Sequence, residues 1–198
     1  MIVYASLGGD TQGFIVPKGV AGLLVEDEAE KLMSLNALST YRVKLEGVKV
    51  PKANRLGGEE GHDFQPVLAA MRVGLAAMAV GVAKAAFVYS KDYAKEREVF
   101  GVKVAQKQAI AFMLAEMATE IEAIRVLTWE AAWKLDVGKE DAYKDAYLAA
   151  TGAADMVMMV TDRAVQILGG YGYIREYPVE LWMRNGRGFA TLIGLAIV

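Results

Sequence analysis

Residues 67–88 read VLAAMRVGLAAMAVGVAKAAFV, a stretch as long as a membrane span in which Arg72 and Lys84 are the only charged side chains. Two surroundings can hold such a segment: lipid, or the middle of a helical bundle. Its apolarity comes largely from Ala and Gly, and two cations inside a span carry a heavy desolvation cost. A helix that is apolar all round is what the centre of a bundle needs. The balance favours a buried helix and no membrane span.

The flanking pattern supplies the rest of such a bundle. Phe64, Leu68, Met71, Leu75, Met78, Val82 and Ala85 follow one another at steps of four and three, which predicts one inward stripe on a first helix running to about residue 95. Asp63 is a candidate cap for it, and Gly74 and Gly81, seven apart, predict close helix contacts. A second helix is expected from about residue 103, with Leu114, Met117, Ile121, Ile124 and Leu135 inward and Glu116, Glu120, Arg125 and Lys134 toward water. Gly138 ends it. A third, over about 140–168, carries Tyr143, Tyr147, Ala150, Val157, Val160, Ala164 and Ile167. Pro178 suits the first turn of a fourth, over about 178–192, because its missing N–H has no partner there. Three long helices and a shorter one, joined by short breaks, predict an antiparallel four-helix bundle over residues 62–198 in a mainly α chain.

Residues 1–61 have a different period. Short β-type runs at 2–7 and 14–16 flank Gly8-Gly9-Asp10, and residues 41–50 alternate apolar with polar side chains before Pro51. Three or four short strands leave sheet edges bare, so this region is expected to be a partial β-domain, completed by other chain. The Gly57-Gly-Glu-Glu-Gly61 turn marks the boundary.

Composition narrows the chemistry. Twenty-two cations against 24 anions, a net charge of -2, argue against a nucleic-acid protein. With no Cys there is neither disulfide nor thiolate, and with one His a metal site or triad is not expected. No basic segment followed by an apolar core opens the chain, and the expected compartment is cytoplasmic. Met156, Met158 and Met159 read as core filler.

Four features stand out as candidate sites. Gln166-Ile-Leu-Gly-Gly-Tyr-Gly172 lets backbone approach a ligand, but it lacks the strand-turn-helix context of a dinucleotide fingerprint and also reads as a plain turn. Arg97-Glu-Val-Phe100-Gly101, with Gln108 soon after, places an arginine beside a helix start that can hold an anion. Arg184 and Arg187 share a helix face, where a surface ion pair is the simpler reading. His62 lies in a Gly/Glu turn and is expected to be solvated. No paired carboxylates, no nucleophile with its base and no metal cluster are picked out by spacing.

Taken together, these motifs resemble the acyl-CoA dehydrogenases. Val48-Lys-Val-Pro51 through Leu56-Gly-Gly-Glu-Glu-Gly61 is similar to the end of that family's middle β-domain, and Arg72 opens the first helix of its C-terminal bundle. Arg97-Glu-Val-Phe-Gly101 with Gln108 resembles the R-x-x-F-G…Q signature, and Leu114-Ala-Glu-Met117 the L-A-D-M run. Gln166-Ile-Leu-Gly-Gly-Tyr-Gly172, Glu176-Tyr-Pro-Val-Glu180 and Met183-Arg-Asn185 resemble Q-x-x-G-G-x-G, E-Y-P-x-E and R-D. The resemblance implies an FAD flavoprotein of fatty acid metabolism that oxidises an acyl-CoA to the 2,3-enoyl thioester and hands electrons to an electron-transfer flavoprotein. It implies that Arg97, Phe100, Gln108, Gln166, Gly169 and Gly170 reach the FAD of a neighbouring subunit in a homo-oligomer, a dimer or tetramer.

The departures fall on the catalytic base. The family's usual Glu-Gly-Thr aligns with Ile193-Gly194-Leu195, and the alternative glutamate position holds Met71, so no catalytic residue is assigned. Asn185 stands for the usual aspartate and Val99 for a common hydroxyl residue. Relative to the family the chain is expected to be truncated at both ends, which implies a partner chain supplying the missing domains. The competing expectation is a catalytically inactive helical oligomerisation module or a truncated family member.

Overall fold

The computed structural model describes residues 1–192. The N-terminal region holds two separate two-stranded antiparallel ribbons. Strand β1 (Ile2–Leu7) pairs with β2 (Asp10–Ile15), Leu7 opposite Asp10. The two-residue connection is Gly8-Gly9, with φ of 65° and 98°, the positive values a tight hairpin needs. β3 (Leu23–Val25) pairs with β4 (Val43–Leu45). The alternating run 41–50 therefore contributes only three residues to a ladder; Glu46 N–H still bonds to Gly22 O, and at Gly47, φ 61°, the chain turns off the ribbon. An alternating pattern becomes strand only where a partner edge runs beside it.

A polar knot joins this region to the bundle. Gln12, only 6% exposed, donates to His62 O at 3.1 Å, and its Oε1 accepts from His62 N at 3.1 Å and from Arg55 Nε at 3.2 Å. His62 is not the solvated side chain expected: it is half-buried, both ring nitrogens lack a partner among the described residues, and its ring lies 6.3 Å from that of Tyr4.

The bundle comprises α1 (Gln65–Glu96), α2 (Gln108–Asp136), α3 (Ala142–Leu168) and, after the single turn α4 (Gly170–Tyr173), α5 (Val179–Leu192). Phe64 occupies the cap position of α1, and Asp63 Oδ1 accepts the Gln65 N–H at 2.9 Å. α2 starts five residues later than its periodicity indicates, because β5 (Glu98–Val99), β6 (Val102–Lys103) and a 3-10 turn at Val104–Gln106 take up the intervening chain.

The principal seam runs between α1 and α3, and both present small side chains to it. Ala76, Ala79, Ala83 and Ala86 of α1 and Ala149 and Ala153 of α3 are at most 1% exposed. The buried face of α1 is thus rotated from the stripe of larger residues. Met71 and Met78 are 39% and 58% exposed, and a Cβ at Gly74 or Gly81 meets nothing within 4 Å. Helix axes can approach to about 8 Å only when the facing side chains are small, which is why alanine wins the seam. Larger buried residues, among them Met117, Val157 and Val160, fill the layers beside it. Tyr143 and Tyr147 lie outside, the Tyr147 ring 5.1 Å from the Arg72 guanidinium.

By length and composition α1 is apolar enough to cross a membrane, yet it packs on α2, α3 and α5. Only 33% of its most apolar window is buried within this chain. The excess lies on the Met71–Met78 face.

Lys134 clamps α2 to the start of α3: its Nζ contacts Glu130 at 3.3 Å and Asp141 at 2.7 Å and also pairs with Asp145. These carboxylates push the Lys134 pKa up, and Lys134 holds the Asp141 carboxyl below its ordinary range. A depressed carboxyl stabilises the fold above its unfolded pKa and loses that contribution as pH falls through the folded value. Lys134→Met is expected to lower the melting temperature at neutral pH, with the gap to wild type closing as pH falls below about 4. Thermal melts at a series of pH values check this; a gap of constant size would contradict it.

Candidate cofactor site

Two sequence-distant segments meet at one end of the bundle. Arg97 caps the C-terminus of α1, its N–H on Tyr93 O at 2.9 Å. Its guanidinium lies 5.3 Å from the ring centroid of Tyr171 in α4. The Arg97 and Gly169–Gly170 segments, separate motifs in the sequence, are thus neighbours.

Between Arg97 and α2 the β5–β6 hairpin turns at Phe100-Gly101. Phe100 is 93% exposed and has φ 55°, a left-handed backbone unusual for an aromatic residue. The ammonium of Lys107, the residue before α2, sits 5.4 Å from its ring centroid, so the Phe100 turn lies against the helix start that carries Gln108. Gln108 and Gln166 are exposed and make no side-chain hydrogen bond with the described residues. Gln166 instead contributes its carbonyl, which accepts the Gly169 N–H at 3.1 Å and helps close α3.

The three glycines of this turn have different causes. Gly169 takes φ 61°, ψ -132°, a conformation that side chains disfavour. At Gly172 a Cβ would fall 2.4 Å from Val165 O, so helix packing forbids one. At Gly170 a Cβ would meet nothing within 4 Å, and the φ is ordinary. The fold asks for glycine at 169 and 172 but not at 170, where the open backbone is free for an outside group. Together, the exposed arginine, the open backbone and the exposed Phe100 ring fit a flat anionic ligand docked from outside the chain.

The remaining features are structural. Arg184 pairs with Glu180 at 2.7 Å, which holds that carboxyl below the usual range, and donates to Met33 O at 3.2 Å. Asn185 Oδ1 accepts the Leu35 N–H at 2.9 Å, so this departure from the family pattern anchors the N-terminal segment onto α5. Sequence reasoning missed that role because its partner is 150 residues away. Arg187 is exposed. Met71 lies on the open face of α1, whereas Ile193-Gly194-Leu195 falls outside the described residues.

The comparisons agree with this architecture. The family model for the acyl-CoA dehydrogenase C-terminal domain matches residues 62–195. The chain is 38% identical over 192 residues to the caffeyl-CoA reductase-Etf complex subunit CarC of Acetobacterium woodii, covering 91% of this chain and 50% of CarC. To the short-chain specific acyl-CoA dehydrogenase of Megasphaera elsdenii it is 40% identical over 177 residues, covering 88% of this chain and 45% of that protein. The solved butyryl-CoA dehydrogenase of M. elsdenii superposes with a TM-score of 0.84 at 36% identity, over 98% of this chain and 54% of that one. The matched helical bundle is that family's C-terminal domain, and the chain belongs to the acyl-CoA dehydrogenase family. It spans about half the length of the curated relatives it matches.

Proposed function

We propose that this chain forms the helical half of an FAD-dependent oxidoreductase acting on acyl-CoA thioesters, and that it contributes Arg97, Phe100, Gln108, Gln166, Gly169 and Gly170 to a flavin held mainly by other polypeptide. The observation that carries the reading is the meeting of Arg97 with the turn of α4, beside a Gly170 that no contact among the described residues requires. When bound, FAD supplies the two-electron acceptor. This chain's residues bind and orient: Arg97 sets a fixed cation and a fork of donors against a phosphate, the α4 turn lets backbone come close, and Phe100 covers a ring face. The proton-abstracting base comes from elsewhere in the assembly, since neither Met71 nor Ile193, at the family's two base positions, can take a proton. An electron-transfer flavoprotein is the proposed electron partner and the cytoplasm the proposed compartment; the Etf complex in the name of the A. woodii relative supports the former. The open Met71–Met78 face of α1 supports assembly as an oligomer.

The second reading is a non-catalytic assembly module, favoured by Met71 at a base position. One experiment separates the two. The chain, alone and co-purified with candidate partner chains, is titrated with FAD and then treated anaerobically with an acyl-CoA while the flavin spectrum is followed. Flavin loading that Gly170→Leu abolishes without changing the melting temperature supports the proposed reading, and bleaching by the thioester extends it to catalysis. Complexes that stay colourless leave the assembly module.

A further inference from the structure

A concavity of about 490 Å³ lies between the C-terminal half of α1 and α5. Its walls are largely aromatic: Tyr89 and Tyr93, one turn apart on α1, line it with Tyr177 just before α5 and Trp182 in its first turn. The Tyr89 and Trp182 rings meet edge to face at 5.8 Å and 78°. Asp92 and Glu96 complete the lining, and while Asp92 contacts Lys91 at 3.3 Å, the Glu96 carboxylate has no ion pair among the described residues. Four aromatic side chains with two carboxylates at one cavity supply the groups that attract a weakly hydrated cation and disfavour an anion. Neither carboxylate has a part in the flavin reading.

We propose that this cavity binds a small organic cation of the quaternary ammonium class. The methyl groups of such a cation spread its charge over a surface that suits aromatic rings, and the Glu96 carboxylate balances that charge. The neighbouring cluster already shows the preference: Arg97 lies over Tyr171, whose ring is 5.2 Å from that of Tyr177.

The test is calorimetric titration of the flavin-free 198-residue chain with choline and with 3,3-dimethyl-1-butanol, its uncharged counterpart of the same shape. Choline is expected to bind at least about tenfold more tightly than the alcohol. Trp182→Leu and Glu96→Gln are each expected to weaken choline several-fold, and Glu96→Gln to leave the alcohol unchanged. Glu96 is exposed, so the second variant keeps its fold even if the first does not. Equal affinity for the two probes, no saturable binding of choline, or choline binding unchanged in Glu96→Gln would overturn the proposal. Because no flavin is present, none of these outcomes bears on the FAD reading.

Discussion

Replacing Arg97 by alanine is expected to weaken FAD retention by the flavin-loaded assembly roughly ten- to a hundredfold, the worth of charge-assisted hydrogen bonds to a phosphate. The same change is expected to leave the bundle's melting temperature almost untouched. Arg97 is exposed, its only described side-chain contact is the Tyr171 ring at 5.3 Å, and such an exposed cation–π pair stabilises by no more than about 1 kcal/mol. Its helix-capping bond to Tyr93 is made by backbone and survives the substitution. Arg97→Lys keeps the charge without the planar fork and is expected to fall between the two. Equilibrium FAD titration followed by flavin absorbance checks the order. An alanine variant that holds FAD as tightly as wild type would remove Arg97 from the site.

The second large effect concerns the seam. Ala83→Leu is expected to destabilise the fold by about 1–3 kcal/mol, although it adds apolar surface, because Ala83 is fully buried where α1 and α3 pack through small side chains. For a chain of this size that corresponds to a fall in melting temperature of roughly 2–12 °C. Met78→Ala removes a larger side chain, yet Met78 is 58% exposed, and its effect on the isolated chain is expected to stay within about 0.5 kcal/mol. Thermal or urea unfolding of the two variants decides between the observed orientation of α1 and the one its periodicity indicates. If Met78→Ala proved the costlier, the helix would be rotated toward its larger residues. In an oligomer that covers the Met71–Met78 face the second variant would instead weaken assembly, which sedimentation reads separately.

The bundle, its helix breaks and its family were legible in the sequence. Glycine and proline punctuate the helices by local sterics, and the order of the motifs from Leu56 to Asn185 is a property of the chain before it folds. The proposal of Arg97, Phe100, Gln108, Gln166, Gly169 and Gly170 as cofactor-binding residues comes from the resemblance and awaits the FAD titrations. What the sequence left open was decided by contacts between distant residues. Periodicity places Met71 and Met78 on the same stripe as Leu75 and Val82, but a helix that is apolar all round has no unique inward face, and the shorter axis separation permitted by alanine selected one. The alternation in residues 41–50 needed a partner strand and found one for only three residues. Asn185 acquired its task from Leu35, and the ring nitrogens of His62 were shielded by residues far from it in the chain. The pairing of Arg97 with Tyr171 and the walls of the Tyr89–Trp182 cavity depend on where α1 ends relative to α4 and α5. Local sequence sets which elements form, because propensity and turn chemistry act over a few residues; only the packed tertiary structure sets which faces meet, because that choice belongs to pairs of helices and not to either one alone.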